Sequence, residues 1–136
     1  MNELKNTAVI LSAGTGSRFG ADIPKQYTLL EGKPVLFYTI NSFVRAGVID
    51  SILIVAQPEY FDECRNIWQK YFEDDHPEIS FFVTKGGSHR QESLYLGCKY
   101  LSGISEHVYE NIVLSHCAAR PVVSTDIIKD FHFLPF

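Results

Sequence analysis

Ala8-Val9-Ile10-Leu11-Ser12-Ala13-Gly14-Thr15-Gly16-Ser17-Arg18-Phe19-Gly20 is a short apolar run that empties into a glycine-rich loop. Ala8 to Leu11 is continuous, apolar and closed by small residues, which predicts a strand buried on both faces. The loop that follows lies where open α/β sheets bind their ligands, beyond the carboxyl end of a strand. Glycines there let backbone N–H groups approach an anion closely, because no Cβ intervenes and positive φ costs little.

Moving outward, apolar runs alternate with segments of helical period. From Pro34 to Ala46 the residues Leu36, Ile40, Phe43 and Val44 fall on one helical face, with Pro34 at the start and Gly47 past the end. Ser51 to Ala56 reads as a second buried strand. Pro58 to Phe72 reads as a helix with Phe61, Cys64, Trp68 and Phe72 on one face. Ile79 to Thr84 is a third predicted strand, and Gln91 to Leu101 a helix carrying Leu94, Cys98 and Leu101 inward. Asn111 to Ser115 is a fourth strand, and Ser124 caps a last helix through Phe131. This βαβαβαβα order predicts an α/β fold: a doubly wound, mostly parallel sheet with helices on both faces, Rossmann-like in type. One domain over residues 1–136 is expected. The apolar finish His132-Phe133-Leu134-Pro135-Phe136 gives the expectation that the domain continues past it.

Composition narrows the function. The 136 residues are 46% hydrophobic and 21% charged, enough to bury a core without disulfide or metal support. Twelve Lys and Arg stand against 16 Asp and Glu, a net charge of −4. That argues against a nucleic-acid binder, which shows a basic face, but not against a small anionic ligand. No stretch approaches the ~20 apolar residues of a membrane helix. Asn2, Glu3, Lys5 and Asn6 do not begin a secretory leader. Three cysteines, Cys64, Cys98 and Cys117, lack C-x-x-C spacing. The expectation is a reduced, cytoplasmic protein.

Two known phosphate-binding motifs fail on the loop. A dinucleotide fingerprint wants glycine where Phe19 stands, and an acid closing the second strand where Ala56 and Gln57 stand. A P-loop wants G-K-[ST], which Phe19-Gly20-Ala21 is not. What stands out is Arg18 and Lys25 together. Arginine offers a bidentate fork and lysine a point charge to a polyphosphate. Two such contacts strengthened at a phosphorus transition state supply about 10²–10⁴ in rate. Taken alone, the loop fits a solvated turn with two surface cations equally well.

Four ordered blocks carry a resemblance. They are Ala13-Gly14-Thr15-Gly16-Ser17-Arg18-Phe19-Gly20 with Pro24-Lys25-Gln26-Tyr27, then Gly32-Lys33-Pro34-Val35, then Gly86-Gly87-Ser88-His89-Arg90-Gln91-Glu92-Ser93, then His116-Cys117-Ala118-Ala119-Arg120-Pro121. Together they resemble the signature of the polyol-phosphate cytidylyltransferases, which act on 2-C-methyl-D-erythritol 4-phosphate or ribitol 5-phosphate. The resemblance implies a nucleotide-diphospho-sugar transferase-like fold and transfer of CMP from CTP to a polyol phosphate, with release of pyrophosphate. It implies Mg²⁺ and a homodimer for the whole protein. It assigns charge stabilisation at the α-phosphorus to Arg18 and Lys25, and nucleotide binding to Ala13, Gly14, Thr15, Gly16, Gly87, Ser88 and Ser93. It assigns the polyol phosphate to Arg120, and to Arg90 a bracing role. Alone, Gly86-Gly87 also fits a plain strand-to-helix turn and Ser93 an ordinary first-turn residue.

Two departures stand out. Cys117 occupies the family's metal-binding Asp position, and a thiol is a poor ligand for a hard ion such as Mg²⁺. Ser88 stands where many members have Asp. The family is also longer, with further ligands in its C-terminal half. A CTP-binding module without turnover is therefore the alternative reading. Ala118-Ala119-Arg120-Pro121 resembles the methylerythritol branch, whereas the long segment Ser102 to Glu110 resembles the ribitol branch; the two stay open.

Overall fold

The computed structural model describes residues 6–13, 23–104 and the strand 112–117. The apolar run of the opening stretch forms β1 (Asn6–Ser12), extended beyond the expected Ala8–Leu11 at both ends. The extension is held by pairing: Thr7 Oγ1 and Ser51 Oγ lie 2.6 Å apart, and the Asn6 amide donates to Asp50 Oδ2. After Ile23, a single 3₁₀ turn Lys25–Tyr27 leads into two minimal strands, β2 (Leu29–Leu30) and β3 (Lys33–Pro34), paired antiparallel. Glu31 and Gly32 turn between them with φ of +52° and +85°, as a two-residue hairpin of that twist requires. Periodicity gave no sign of this hairpin, because two-residue strands have no period to read.

Helix α1 (Val35–Ala46) starts after Pro34 and ends on Gly47 in the left-handed region, as expected. β4 (Ser51–Ala56) has the predicted bounds and is buried throughout. The expected helix from Pro58 is divided: a 3₁₀ turn Pro58–Tyr60 precedes α2 (Phe61–Tyr71). β5 (Ser80–Lys85) follows one residue later than predicted. α3 (Arg90–Ile104) is longer at both ends, and β6 (Ile112–Cys117) lies one residue late at its start and two at its end. The helix expected from Ser124 to Phe131 lies outside the described residues.

The four long strands are parallel, in the order β5-β4-β1-β6. The chain steps outward from β1 through β4 to β5, then returns to the other side of β1 for β6. That reversal is the switch point at which doubly wound sheets open a crevice. Helices cover both faces. Ala8, Ile10, Ile52 and Ile54 pack under α1 and α2 with Phe43, Trp68 and Phe72. Val9, Leu11, Leu53 and Val55 pack under α3 with Leu101. The alternation follows from the period of two along each strand.

The inward line of α3 differs from the expected Leu94, Cys98 and Leu101. Its buried positions are Ser93, Gly97 and Leu101, with Leu94 and Cys98 half-buried beside them. A Cβ at Gly97 would stand 3.0 Å from Val55 Cγ2 and 3.4 Å from Val9 Cγ1. The missing side chain lets this helix lie close on the sheet, and it carries Ser93 down toward the end of β1.

Candidate functional site

At the carboxyl end of β1, Leu11 and Ala13 face the loop between β5 and α3 across a cleft of about 150 Å³. Gly87, Ser88, His89, Arg90 and Ser93 form its other wall. Gly86 sets the approach of the two walls: a Cβ there would collide with the Ala13 methyl. Of the sequence-derived nucleotide residues, Ala13, Gly87, Ser88 and Ser93 are thus brought together.

The loop is held by its own side chains. Buried Ser93 accepts the Gly87 N–H at 3.0 Å through Oγ, which leaves its hydroxyl proton as a donor. Glu92 Oε1 accepts from the Ser88 N–H at 2.6 Å and the Ser88 hydroxyl at 3.0 Å. The Glu92 N–H in turn donates to His89 Nδ1 at 3.3 Å. This reciprocal arrangement caps the first turn of α3, where orphan N–H groups need acceptors. The two bonds from Ser88 hold the Glu92 carboxyl below the usual carboxylate range. Bracing is therefore done by Glu92 and Ser93, while Arg90 is exposed on the cleft wall.

A second group of side chains grips the end of β1 from the opposite side. Gln26 Nε2 donates to the Ser12 carbonyl at 2.8 Å and approaches Ser12 Oγ at 3.3 Å. The Tyr27 hydroxyl lies 2.9 Å from Ser12 Oγ and 3.6 Å from Cys64 Sγ, and the Tyr27 ring stacks on Tyr60 at 4.4 Å. Gln57 Nε2 donates to the Ala13 carbonyl at 3.0 Å. Burial pushes the Tyr27 phenol well above its ordinary range and the Cys64 thiol up to about 11. Lys25, in the same 3₁₀ turn, is exposed between buried Pro24 and Gln26. Its backbone is fixed while its ammonium is free to reach an anion.

Gln26, Tyr27, Gln57 and Glu92 had no assigned role from sequence. Glu92 carried no clean signal, because the S-x-x-[EQ] spacing from Ser88 lands on Gln91 and the residue three before Glu92 is His89. The others act on residues far away in the chain, and no local pattern records that. Arg18, Gly14, Thr15, Gly16 and Arg120 lie outside the described residues. Cys117 ends β6 opposite Leu11, which puts its backbone at the edge of the cleft. A thiol at that position does not fit Mg²⁺, which takes carboxylate, phosphate and water oxygens. No helix among the described residues is long and apolar enough to cross a membrane.

Comparison with known proteins agrees with this geometry. A protein from Clostridium botulinum (strain 657 / Type Ba4) named 2-C-methyl-D-erythritol 4-phosphate cytidylyltransferase is 39% identical over 126 residues, covering 93% of this chain and 51% of its own length. A protein of the same name from Clostridium acetobutylicum is 40% identical over 126 residues, covering 92% and 51%. The chain thus spans about half the length of the curated relatives it matches. Among solved structures, the 4-diphosphocytidyl-2C-methyl-D-erythritol synthase of Anaerococcus prevotii DSM 20548 superposes with a TM-score of 0.70 at 26% identity, over 93% of this chain and 48% of that one. A nucleotidyl transferase from Methanothermobacter shares the fold at a TM-score of 0.66 and 20% identity. The model of the IspD family matches residues 6–133, so this chain belongs to the 2-C-methyl-D-erythritol 4-phosphate cytidylyltransferase family.

Proposed function

We propose that the protein containing this chain transfers CMP from CTP to 2-C-methyl-D-erythritol 4-phosphate, releasing pyrophosphate. The observation that carries this reading is the cleft at the end of β1, where Ala13, Gly87, Ser88 and Ser93 meet, with the turn that bears Lys25 tied to the same strand end through Gln26 and Ser12. The Gly87 and Ser88 N–H groups are already engaged by Ser93 and Glu92. The Ser93 hydroxyl proton is left as a donor to a bound base. The small volume favours a pyrimidine over a purine.

The polyol phosphate attacks the α-phosphorus of CTP, and pyrophosphate leaves from the opposite side. Negative charge builds on the oxygens around phosphorus as the new bond forms and the old one breaks. Lys25 and Arg18 meet that charge, and Gly14, Thr15 and Gly16 cradle the phosphates with backbone. Arg120 takes the phosphate of the polyol. Cys117 does not fit Mg²⁺, and none of these steps is routed through the metal. Its presence also supports a second reading, in which CTP binds without turnover.

Pyrophosphate release from CTP, by the chain with its downstream sequence, tests the reading with both polyol phosphates offered in parallel. Release with methylerythritol phosphate is expected, together with a loss of about 10²–10³ in kcat for Lys25→Ala. Release with ribitol 5-phosphate alone would move the enzyme to the other branch. CTP binding with no release from either would establish the binding module.

A further inference from the structure

The turn Lys25–Tyr27 is tied to the last residue of β1 by more contacts than its three residues need for their own folding. Its backbone closes with two weakly cooperative bonds, Tyr27 N–H to Pro24 O at 3.0 Å and Thr28 N–H to Lys25 O at 3.1 Å. An isolated 3₁₀ turn of this length has little stability. The Thr28 hydroxyl adds a 2.6 Å bond to the Lys25 carbonyl, and two side chains cross to Ser12: the Gln26 amide, with its 2.8 Å bond to the Ser12 carbonyl, and the Tyr27 hydroxyl, 2.9 Å from the Ser12 hydroxyl. Both side chains are about 4% exposed, while Lys25 between Pro24 and Gln26 faces solvent. Ser12 also pairs with Ala56 in the sheet, and both are buried, so the turn is referenced to the centre of the sheet. Behind it, the Tyr27–Tyr60 stack and the Cys64 contact block any rocking of the ring.

We infer that Gln26 and Tyr27 are positioning residues: their buried bonds to Ser12 lock the turn that carries Lys25 to the end of β1, so that the backbone from which the ammonium reaches is set before any nucleotide arrives. The inference rests on the phosphate-facing role of Lys25 proposed above. The physical reason is preorganisation. A cation gains most at a transition state when no reorganisation is needed as charge develops, and a displacement of about 1 Å can cost about 10²-fold in rate. A buried amide bonded to a backbone carbonyl suits this task, since it is directional and shielded from competing water.

The test uses the chain with its downstream sequence and the variants Gln26→Met, which keeps the bulk without the N–H donor, and Tyr27→Phe, which keeps the ring. Amide hydrogen exchange is measured over residues 24–28 and over β1 and β4. Kinetics of pyrophosphate release from CTP are measured in wild-type and Lys25→Ala backgrounds. We expect Gln26→Met to lose exchange protection at Tyr27 and Thr28 while β1 and β4 keep theirs. We expect kcat to fall about 10- to 100-fold with KM for CTP within about threefold, and that loss to shrink to under about twofold once Lys25 is alanine. Tyr27→Phe should show the same pattern more weakly. Unchanged protection at residues 24–28 in both variants would overturn the lock. An equal fall in kcat in both backgrounds would overturn positioning through Lys25. Selective loss of protection in a protein that releases no pyrophosphate would support the lock and sink the proposed function instead.

Discussion

Cys64 shows how one side chain ties packing to solution conditions. Its thiol is fully buried beneath α2 and lies 3.6 Å from the Tyr27 hydroxyl. Burial is the main cause of its rise from an ordinary 9.0 to about 11, and the Tyr27 hydrogen bond works the other way. The folded state holds this proton more tightly than the unfolded chain does. Stability from the neutral thiol is therefore complete below pH 9.0 and is lost as pH rises toward about 11, a change on the order of 2–3 kcal/mol. Denaturant melts at stepped pH should show this alkaline decline, and Cys64→Ala should flatten it across that window. At this scale the sequence was readable where chemistry is written locally: glycines at 86 and 87, Ser88 and Ser93 in one block, and the Lys25 turn. It was unreadable at Gln26 and Gln57, whose acceptors are the backbone carbonyls of Ser12 and Ala13. A glutamine that braces distant backbone looks the same in sequence as one facing water.

Elements were legible in proportion to their regularity. Ser51–Ala56 was bounded correctly because a continuous run of buried β-branched and aliphatic residues has one structural outcome in a parallel sheet. The hairpin of β2 and β3 escaped because its strands are two residues each and its first turn residue is Glu31, not the usual Asn or Gly. For α3, the large residues Leu94 and Cys98 suggested one inward line, and the small residues Ser93 and Gly97 form another. The small line is what brings the helix close. Gly97→Leu should consequently force α3 away from Val55 and Val9, costing about 1–3 kcal/mol as overpacking. Urea unfolding measures that cost. A variant as stable as wild type would show that the helix does not need its close seat.

On the scale of the molecule, two apolar layers share one pair of strands. Phe43 anchors the layer under α1 and α2, and Leu101 the layer under α3; each is fully buried. β1 and β4 supply alternate residues to both layers, so loss of either strand exposes both. Phe43→Ala and Leu101→Ala should each lower the urea midpoint by the equivalent of about 2–5 kcal/mol without changing the slope m. A changed m in either variant would mean that the layers unfold separately and that residues 6–117 are not one cooperative unit. The sequence made this sandwich legible through alternation of β and α segments. The switch point at β1 was not legible there, since alternation alone does not say that β6 returns beside β1 after the chain has stepped out to β5.

Trp68 gives this architecture a built-in optical reporter. It is the sole tryptophan of the chain, nearly buried, with its ring stacked on Phe72 at 5.3 Å and on Phe81 at 4.9 Å. It belongs to the layer under α1 and α2, whereas the cleft wall at Leu11 belongs to the layer under α3. Intrinsic emission will therefore shift to the red when the layer under α1 and α2 comes apart. The protein thus carries its own unfolding probe, and the integrity of the fold can be read with no label attached.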